Sequence, residues 1–593
     1  MSIAIAQMRV QPGAPMENTA LMLSLIDQAK SRGAELIVFP ELAVSGLLLG
    51  ELAQSEAFYQ ECRACGERIA AAAQDIMVIY GNLCRREGRL YNSVFLAAQG
   101  ENGSLSAPLG PSYIRGAYQD FAPSPDFQVY NLSLDGKIFR VAFILGDWRR
   151  LRLPYSPNEV DLLIDVTNKP LWADEDIVPA GLPGRQLLCV NSYGLQNSGK
   201  SNYLFAGGSA YYDFDGSLIA RGDDFGPGLY FWQRKGGSIL PQCQGDQRLC
   251  QALVCGVREF MAQIRCHKAV VGISGGIDSA LAACIYTQAL GPENVYLISM
   301  PSRYNSEQTK NLAQSMARGL GVSFATLPIQ DGVNSLLADF HLQPFHSPEG
   351  QELELTFSNA VKENVQARER CRLLSAAAAA LGAVFTCNGN KAELSVGYAT
   401  FYGDLAGAFA AQADLWKYQV YRAADWFQRQ FPEAPLAEIA AIRPSAELSE
   451  SQDVTKGLGD PLIYAYHDYL LRYWVEQGAD LYDTLAHYQA GDLEQTLGCT
   501  PGLAAKHFPG PKEFTQDAEY WWSMYRGMAV AKRLQAPPLL ALSAHPFGEG
   551  KPQSQLKVYI SQEYQRLKAR LLDQADPAEA ETAAAAEKQE PQA

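Results

Sequence analysis

Apolar and polar positions alternate along residues 1–232 in a pattern that predicts short strands separated by helices. Apolar side chains recur at helical spacing over residues 18–31, and the run ELIVF at 35–39 predicts a buried strand that ends before Pro40. Strands that alternate with helices indicate a layered α/β domain. Further strands are predicted at residues 2–8, 75–80, 93–97, 140–145, 162–166 and 187–191.

The polar stretch RKGGSILPQCQGD at 234–246 contains glycine and proline and predicts a linker. A predicted helix at 247–265 and a strand at 269–273 follow it and begin a second α/β pattern. The predicted organisation is a first domain at 1–233, a linker at 234–246, a second domain at 247–545, a C-terminal helix at 546–572 and a disordered acidic tail at 573–593.

The chain has 593 residues, of which 47% are hydrophobic, and its 49 basic and 64 acidic residues give a formal net charge of −15. This composition excludes a wholly disordered chain, a collagen-like repeat and a small disulfide-stabilised protein. Because an acidic surface repels phosphate backbones, we expect no nucleic-acid partner. No apolar run approaches about 18 residues and MSIAIAQMRV lacks a signal-peptide pattern, so we expect a cytoplasmic protein with no membrane partner and reduced cysteines.

The predicted strand at 269–273 runs directly into the sequence SGGIDS, and a helix pattern follows at 280–290. Such a strand, glycine-rich turn and helix N-terminus form a phosphate-binding arrangement, since the glycines let backbone N–H groups approach the anion. The loop is not of the GxxxxGK[ST] type, because it has no lysine and contains Asp278. An aspartate beside phosphates indicates a divalent cation between them. A capped helix after a buried strand is the alternative, and six specified positions favour the phosphate site.

SGGIDS resembles the pyrophosphate loop of the N-type ATP pyrophosphatases, and an ordered series of downstream motifs resembles the NAD synthetases among them. The resemblance implies a Rossmann-like parallel sheet domain of the adenine-nucleotide α-hydrolase type. It also implies ATP-dependent amidation of deamido-NAD+ through an acyl-adenylate, giving NAD+, AMP and pyrophosphate. The motifs are MPSRY at 300–304, NVQARER at 364–370, CNGNKAE at 387–393, GY at 397–398, YGD at 402–404, DLWK at 414–417 and PSAEL at 444–448.

The same resemblance assigns site residues. Asp278 and Glu393 match magnesium ligands, and carboxylate oxygens are what Mg²⁺ prefers. Asp278, Lys417 and Ser445 are the expected catalytic residues, with Lys417 binding the leaving pyrophosphate. Taken singly, Glu393 also fits a helix N-cap partner, Lys417 a solvated helix face and Ser445 an N-cap. The expected ATP-binding residues are Ser274, Gly275, Gly276, Ile277, Asp278, Ser279, Arg303, Lys417 and Ser445; those expected to bind deamido-NAD+ are Asn364, Arg368, Lys391 and Asp404.

Residues 1–232 resemble a nitrilase-like glutaminase, which implies an α/β/β/α sandwich and a Glu–Lys–Cys triad. Glu41 in ELIVFPE is retained. The cysteine normally follows the strand at 140–144 in a segment like ICEDxW, but this chain reads ILGDW, with Leu145 at that position. No lysine occurs between residues 31 and 136, and the family lysine falls near Ala107. Cys189 is expected to be a buried structural thiol.

The preferred hypothesis is therefore an NAD synthetase with a pseudo-glutaminase domain. It would use free ammonia, or ammonia from a separate glutaminase protein, and we expect a homo-oligomer. The inactive domain would serve assembly, substrate sensing or docking. The alternatives are a glutamine-dependent enzyme with an unrecognised nucleophile, another ATP-dependent amidation on the same scaffold, and a non-enzymatic nucleotide sensor.

Overall fold

The computed structural model describes residues 2–105, 107, 109–123, 127–147, 159–175, 181–233, 236–237, 239–353, 355–452, 456, 458–548 and 558–575. The chain forms two compact units, one of residues 1–260 with 541–544 and one of residues 261–540 with 545–593. The predicted domain limits, with a first domain at 1–233 and a second at 247–545, stay a prediction. In the part of the chain that is described, no helix is both long and apolar enough to span a bilayer.

The first unit contains two large β-sheets, whose facing sides share one apolar cluster that includes Ile5, Val38, Phe143 and Ile164. It also contains a separate antiparallel pair of strands, Tyr193–Ser198 with Ser201–Ala206. One sheet has the order β15-β14-β1-β2-β3-β4-β5 and the other β13-β12-β9-β8-β7-β6. Its strands are β1 (Ser2–Gln7), β2 (Leu36–Val38), β3 (Met77–Arg86), β4 (Arg89–Ala98), β5 (Glu101–Leu105), β6 (Tyr130–Leu134), β7 (Lys137–Ile144), β8 (Leu162–Asp165), β9 (Gln186–Cys189), β10 (Tyr193–Ser198), β11 (Ser201–Ala206), β12 (Ala210–Tyr212), β13 (Leu218–Arg221), β14 (Gly228–Gln233) and β15 (Gly236–Gly237).

Helices α1 (Pro15–Ser31) and α2 (Glu56–Ala72) pack against each other, and α2 packs on β3. Helix α3 (Gly245–Gln263) follows the last strand of this unit. The strands predicted from apolar runs are all present, and the predicted α/β class is confirmed. The polar hairpin strands were missed, because a strand such as β5, with the sequence ENGSL, buries no residue and has no apolar period.

The second unit is built on a four-stranded parallel sheet of order β18-β17-β16-β21. The chain leaves β16 (Ala269–Gly272) toward β17 (Val295–Ser299) and β18 (Ser323–Thr326), then returns to β21 (Val384–Phe385) on the other side of β16. Strand order therefore reverses between β16 and β21, and open α/β sheets bind ligands outside the carboxyl ends of strands at such a point. The glycine-rich loop follows β16 and the CNGNKAE segment follows β21.

Helices surround this sheet and form most of the remaining unit. The predicted helix at 280–290 belongs to the helix Ile277–Leu290, and the predicted C-terminal helix at 546–572 corresponds to the helix Gln562–Ala575. Residues 549–557 and the part of the predicted disordered tail at 576–593 lie outside the described residues. The other elements are a small hairpin of β19 (Phe345–His346) and β20 (Glu352–Leu353), the strand β22 (Leu539–Ala541), and α4 (Ile277–Leu290), α5 (Glu307–Leu320), α6 (Gln330–Leu342), α7 (Asn359–Leu381), α8 (Lys391–Val396), α9 (Lys417–Gln430), α10 (Leu436–Ala440), α11 (Tyr464–Glu476), α12 (Leu481–Ala490), α13 (Leu493–Leu497), α14 (Leu503–His507), α15 (Pro511–Arg526), α16 (Met528–Gln535) and α17 (Gln562–Ala575).

Candidate active site

The glycine-rich loop lies between the end of β16 and the beginning of α4. Gly275 has a φ of 87°, and a Cβ atom on it would lie 2.2 Å from the carbonyl oxygen of Thr309, so both backbone conformation and space require glycine there. The hydroxyl oxygens of Ser274 and Ser279 are 3.1 Å apart, and the Gly276 N–H donates to Ser274 Oγ at 3.2 Å. Local hydrogen bonds therefore hold the loop at the N-terminus of α4, where an anion is favoured.

An ion cluster adjoins this loop, in which Lys417 is buried and Asp278 and Glu393 are half-buried. The ammonium of Lys417, at the beginning of α9, donates to Asp278 Oδ2 and lies 3.8 Å from Glu393 Oε1. It also lies over the ring of Tyr464, 4.9 Å from its centroid. Asn390 caps α8 through a reciprocal capping box with Glu393 and donates to Asp278 Oδ1 at 2.9 Å. These contacts bring together residues from three separate sequence motifs.

The cluster holds more carboxylates than cations. Burial, together with repulsion from Asp278, raises the pKa of Glu393 to about 8, although Lys417 acts against the rise. Burial opposes the charged ammonium of Lys417, but the attraction of Asp278 and Glu393 outweighs it and holds its pKa above the usual range. Burial also raises the pKa of nearby Asp460. Raised carboxyl pKa values of this kind mean that the site favours a proton over a bare charge, and a bound cation could replace that proton.

The donor set is compatible with magnesium. Asp278 and Glu393 offer carboxylate oxygens, and Mg²⁺ is commonly held by one or two carboxylates together with substrate phosphates and water. Among the described residues, no group of three or more His, Cys, Asp or Glu side chains is arranged to hold a metal ion. A metal here would therefore depend on phosphate and water oxygens for its remaining ligands.

Two adjoining cavities open on this cluster. The first is largely apolar and includes Met300, Ala367, Leu374 and Phe385 in its walls. The second is polar and includes the glycine-rich loop. Lys417, Tyr421, Arg443, Ser445 and Asp460 line the second cavity, and Ser274, Asp278, Ser279, Asn305, Glu393, Asp404 and Ala446 line both.

Glu41 of the first unit lies fully buried in a separate polar cluster. Its Oε1 accepts hydrogen bonds from Asn92 Nδ2 at 2.5 Å and Tyr118 OH at 2.6 Å, and its Oε2 accepts one from the Asn168 N–H at 2.8 Å. Burial raises the pKa of Glu41 to about 7 in spite of these hydrogen bonds, with Asp165 adding to the rise. The hydrogen-bond donors that surround this carboxyl are neutral.

Leu145 and Ala107 belong to the apolar cluster between the two sheets of the first unit, and both are buried. The N–H of Gly110 donates to the carbonyl of Leu145 at 2.8 Å. The next residue, Gly146, has a φ of 85°, and a Cβ atom on it would lie 2.7 Å from the carbonyl carbon of Gly110. The backbone after β7 is therefore shaped around glycine at this position.

Comparison with known proteins identifies the family. The family model described as NAD synthase matches residues 249–496, and the one described as carbon-nitrogen hydrolase matches residues 2–107. A glutamine-dependent NAD(+) synthetase from Synechocystis sp. is 30% identical over 501 residues, which are 77% of this chain and 86% of the relative. The chain belongs to the two-domain NAD synthetase family. The enzyme is therefore a ligase that forms a C–N bond, as the resemblance implies.

Another relative and two solved structures are similar to this chain. A glutamine-dependent NAD(+) synthetase from Xylella fastidiosa is 27% identical over 563 residues, which cover 86% of this chain and 96% of the relative. The solved structure of the glutamine-dependent NAD+ synthetase from Acinetobacter baumannii with ADP has a TM-score of 0.64 at 24% identity and covers 92% of this chain and 96% of its own. That from Cytophaga hutchinsonii has a TM-score of 0.73 at 16% identity, with 96% and 99% covered. These structures confirm the predicted fold.

The structure brings some of the NAD synthetase site residues together and separates others. Asp404 lines both cavities and accepts a hydrogen bond from the Thr400 N–H at 2.6 Å, while the Thr400 hydroxyl donates to Asn364 Oδ1 at 2.7 Å. Arg368 is exposed and donates to the carbonyl of Phe401 at 3.0 Å. Arg303 is exposed, stacks on Tyr304, and is not among the residues that line the two cavities.

Lys391 forms ion pairs with two carboxylates. Its ammonium is fully buried, 2.8 Å from Asp414 Oδ1 and 2.8 Å from Glu476 Oε1. Trp416 Nε1 donates to the same oxygen of Glu476 at 2.8 Å. This lysine links the beginnings of α8 and α9 to the end of α11, and its direct contact with deamido-NAD+ stays a prediction.

Arg370 ends the motif NVQARER and lines the first cavity, although the sequence motif alone assigns it no role. It donates to the Met300 carbonyl at 3.1 Å and to Asn305 Oδ1 at 3.3 Å, and burial lowers its pKa to about 10. Helical spacing was the available signal. Residues 367, 370, 371 and 374 share one face of α7 and line the same cavity, whereas Arg368 lies on another face.

Proposed function

We propose that the second unit makes NAD+ from deamido-NAD+, ATP and ammonia, with the phosphates of ATP bound between the glycine-rich loop and Lys417. The observation that carries this proposal is the ion cluster of buried Lys417 with half-buried Asp278 and Glu393 beside that loop. Ser274, Gly275, Gly276, Ile277 and Ser279 would bind phosphate through backbone N–H groups and hydroxyls.

The two cavities suit the two parts of the nucleotide. The apolar walls around Leu374 and Phe385 fit an adenine ring, and the polar cavity with Lys417 and Ser445 fits the phosphates. The nicotinate carboxylate would attack the α-phosphate and release pyrophosphate, and ammonia would then attack the acyl carbon and release AMP. Lys417 would transfer its hydrogen bond from Asp278 to the leaving pyrophosphate, and the Ser445 hydroxyl would donate a hydrogen bond to the same group.

Asp278 and Glu393 would hold Mg²⁺ with the substrate phosphates, and this ion would neutralise charge on the leaving group. Asn364, Arg368 and Asp404 would bind deamido-NAD+, for which Arg368 offers an exposed guanidinium beside Phe401. Arg303 would meet ATP only if the loop after β17 turns it toward the cavity. Lys391 would hold the surrounding elements in place through its ion pairs with Asp414 and Glu476.

We further propose that the first unit is a pseudo-glutaminase and that ammonia reaches the enzyme free or from a separate glutaminase. Leu145 and Ala107 stand where the resemblance expects the cysteine and the lysine, and both side chains lie in an apolar cluster. Glu41 is retained but its carboxyl is bound by Asn92, Tyr118 and Asn168. The relatives named above are glutamine-dependent, so this chain would differ from them in its nitrogen source. The enzyme would work as a cytoplasmic homo-oligomer.

A paired assay tests this proposal. The purified full chain is supplied with deamido-NAD+, ATP and Mg²⁺, and with either ammonium or glutamine, and NAD+ and glutamate are measured. We expect NAD+ with ammonium and no glutamate from glutamine. Glutamate release would show that the first unit has an unrecognised nucleophile, and Cys189→Ser would then test the thiol in β9, whose pKa burial raises well above its usual range. Failure to make NAD+ with either donor would overturn the assignment of the second unit.

A further inference from the structure

Glu447 lies beside the polar cavity, but its carboxylate contacts the beginning of α5. Its Oε2 accepts hydrogen bonds from Thr309 Oγ1 at 2.8 Å and Asn305 Nδ2 at 3.3 Å, and its Oε1 accepts one from the Ser306 N–H at 3.2 Å. The residue is only 5% exposed. A buried carboxylate with three donors at a helix N-terminus is strongly bound, because the unpaired N–H groups there favour negative charge.

The same turn of α5 also contacts the glycine-rich loop. The carbonyl oxygen of Thr309 would lie 2.2 Å from a Cβ atom placed on Gly275. Thr309 therefore contacts the phosphate loop with its backbone and Glu447 with its side chain. A change in the Glu447 contact would shift the first turn of α5 relative to Gly275.

The backbone of Glu447 is also unusual, since its φ of 47° lies in the left-handed region. A non-glycine residue keeps such a conformation only where surrounding contacts hold it. In this conformation the Glu447 N–H donates to Ser445 Oγ at 3.2 Å, and the Ser445 hydroxyl donates to the Gln452 carbonyl at 2.6 Å. The position of the Ser445 hydroxyl is thus tied to that of Glu447.

We propose that Glu447 is a positioning residue for the phosphates of ATP. Its carboxylate anchors residues 444–448 to the N-terminus of α5, and this anchor sets Ser445 on one side of the phosphate cavity and the glycine-rich loop on the other. Asn305 extends the anchor, because its Oδ1 accepts a hydrogen bond from Arg370 in the neighbouring cavity. The proposal rests on the proposed function, which assigns this cavity to the phosphates.

The test compares steady-state kinetics of the full chain in variants on both sides of the anchor. Glu447→Ala removes the carboxylate, and Glu447→Gly removes it while relieving the left-handed backbone. Thr309→Val removes one donor, and Thr309→Ser keeps the hydroxyl. Glu450→Ala, an exposed acid in the same segment, is the matched control. KM for ATP, KM for deamido-NAD+, kcat and melting temperature are measured with saturating ammonium.

We expect Glu447→Ala and Glu447→Gly to raise KM for ATP and lower kcat/KM for ATP by about 10- to 100-fold, the effect of losing hydrogen bonds to a charged group. KM for deamido-NAD+ should stay at the control value. Thr309→Val should give a smaller loss in the same direction, and Thr309→Ser should keep the activity of the unchanged chain. The double variant Thr309→Val with Glu447→Ala should be no worse than Glu447→Ala alone, because both changes remove the same hydrogen bond between Thr309 and Glu447.

Parallel measurement of Asp278→Asn separates two ways of failing. If Asp278→Asn loses turnover while folded Glu447→Ala and Glu447→Gly match Glu450→Ala, the anchor is wrong and the phosphate site stands. If Asp278→Asn keeps full turnover, the proposed site is wrong and the anchor falls with it. An equal rise in both KM values that follows a drop in melting temperature would also overturn the anchor in favour of a general structural role.

Discussion

Each unit of the molecule holds carboxyl groups in a polar cluster, and the two clusters differ in the groups that contact those carboxyls. Glu41 accepts hydrogen bonds from Asn92, Tyr118 and Asn168, which are neutral donors, and burial raises its pKa to about 7. Asp278 and Glu393 instead share the ammonium of Lys417 at the edge of two cavities. A carboxyl group whose hydrogen bonds come from neutral neighbours suits a structural role. Carboxylates that share a cation beside a cavity can instead give up the contact with that cation to an anionic ligand.

The largest effect is expected from the cation. Lys417→Met should lower kcat for AMP formation with ammonium by about 10²- to 10³-fold, the usual cost of removing one charge-stabilising group from a preorganised site. Lys506→Met, an exposed lysine of the same unit, should change kcat little. The ratio of the two rates measures how far the second cluster depends on its cation. Near-normal turnover in a folded Lys417→Met variant would remove the distinction between the clusters.

The next effect concerns the walls of the cavity. Arg370→Ala should reduce kcat/KM for ATP by about tenfold or more, since it removes from the cavity lining a half-buried guanidinium that donates to Met300 and Asn305. Arg372→Ala, an exposed arginine on the same helix that pairs with Glu369, is the control and should stay close to wild type. Equal behaviour of the two variants would show that Arg370 contributes nothing specific to the site.

Arg370 and Lys391 also show what sequence could and could not predict. The alternation of strands and helices, the glycine-rich loop and the meeting of Asp278, Lys417 and Glu393 follow from local pattern, motif resemblance and the geometry of parallel sheets. The direction of a long side chain is decided by tertiary packing. Lys391 pairs with Asp414 and Glu476, which are distant in sequence or on another element, so the motif GNKAE alone could not exclude a substrate contact.

A pH measurement tests the other cluster. Because burial raises the pKa of Glu41 from 4.5 to about 7, the folded state holds a proton that the unfolded state has lost between these values. Its contribution to the free energy of unfolding should therefore be complete below about pH 4.5 and decline as pH rises to 7, by up to about 3 kcal/mol. Glu41→Gln should show a flatter decline than wild type over this range.

Buried acids of the second unit titrate in the same range, so the comparison uses the difference between Glu41→Gln and wild type at each pH. A constant offset is expected as well, since the new amide nitrogen faces the Asn168 N–H and cannot accept its hydrogen bond. A difference that does not vary with pH would mean that burial does not raise the pKa of Glu41. The contrast between Glu41 and the carboxylates of the second unit would then be smaller than stated above.

The smallest expected effect is no effect at all. Leu145→Cys, alone or with Ala107→Lys, should release no glutamate from glutamine, although it restores the missing residue types. The reason lies in the backbone, since Gly146 has a φ of 85° and a side chain there would meet Gly110, so the segment after β7 cannot take the shape that a residue with a Cβ atom requires. Ammonium-dependent synthesis by Leu145→Cys is the internal control for folding. Glutamate release by a variant that keeps this synthesis would show that the first unit retains the backbone of a glutaminase site and lacks only the reactive side chains. The two clusters would then differ less than their surroundings indicate.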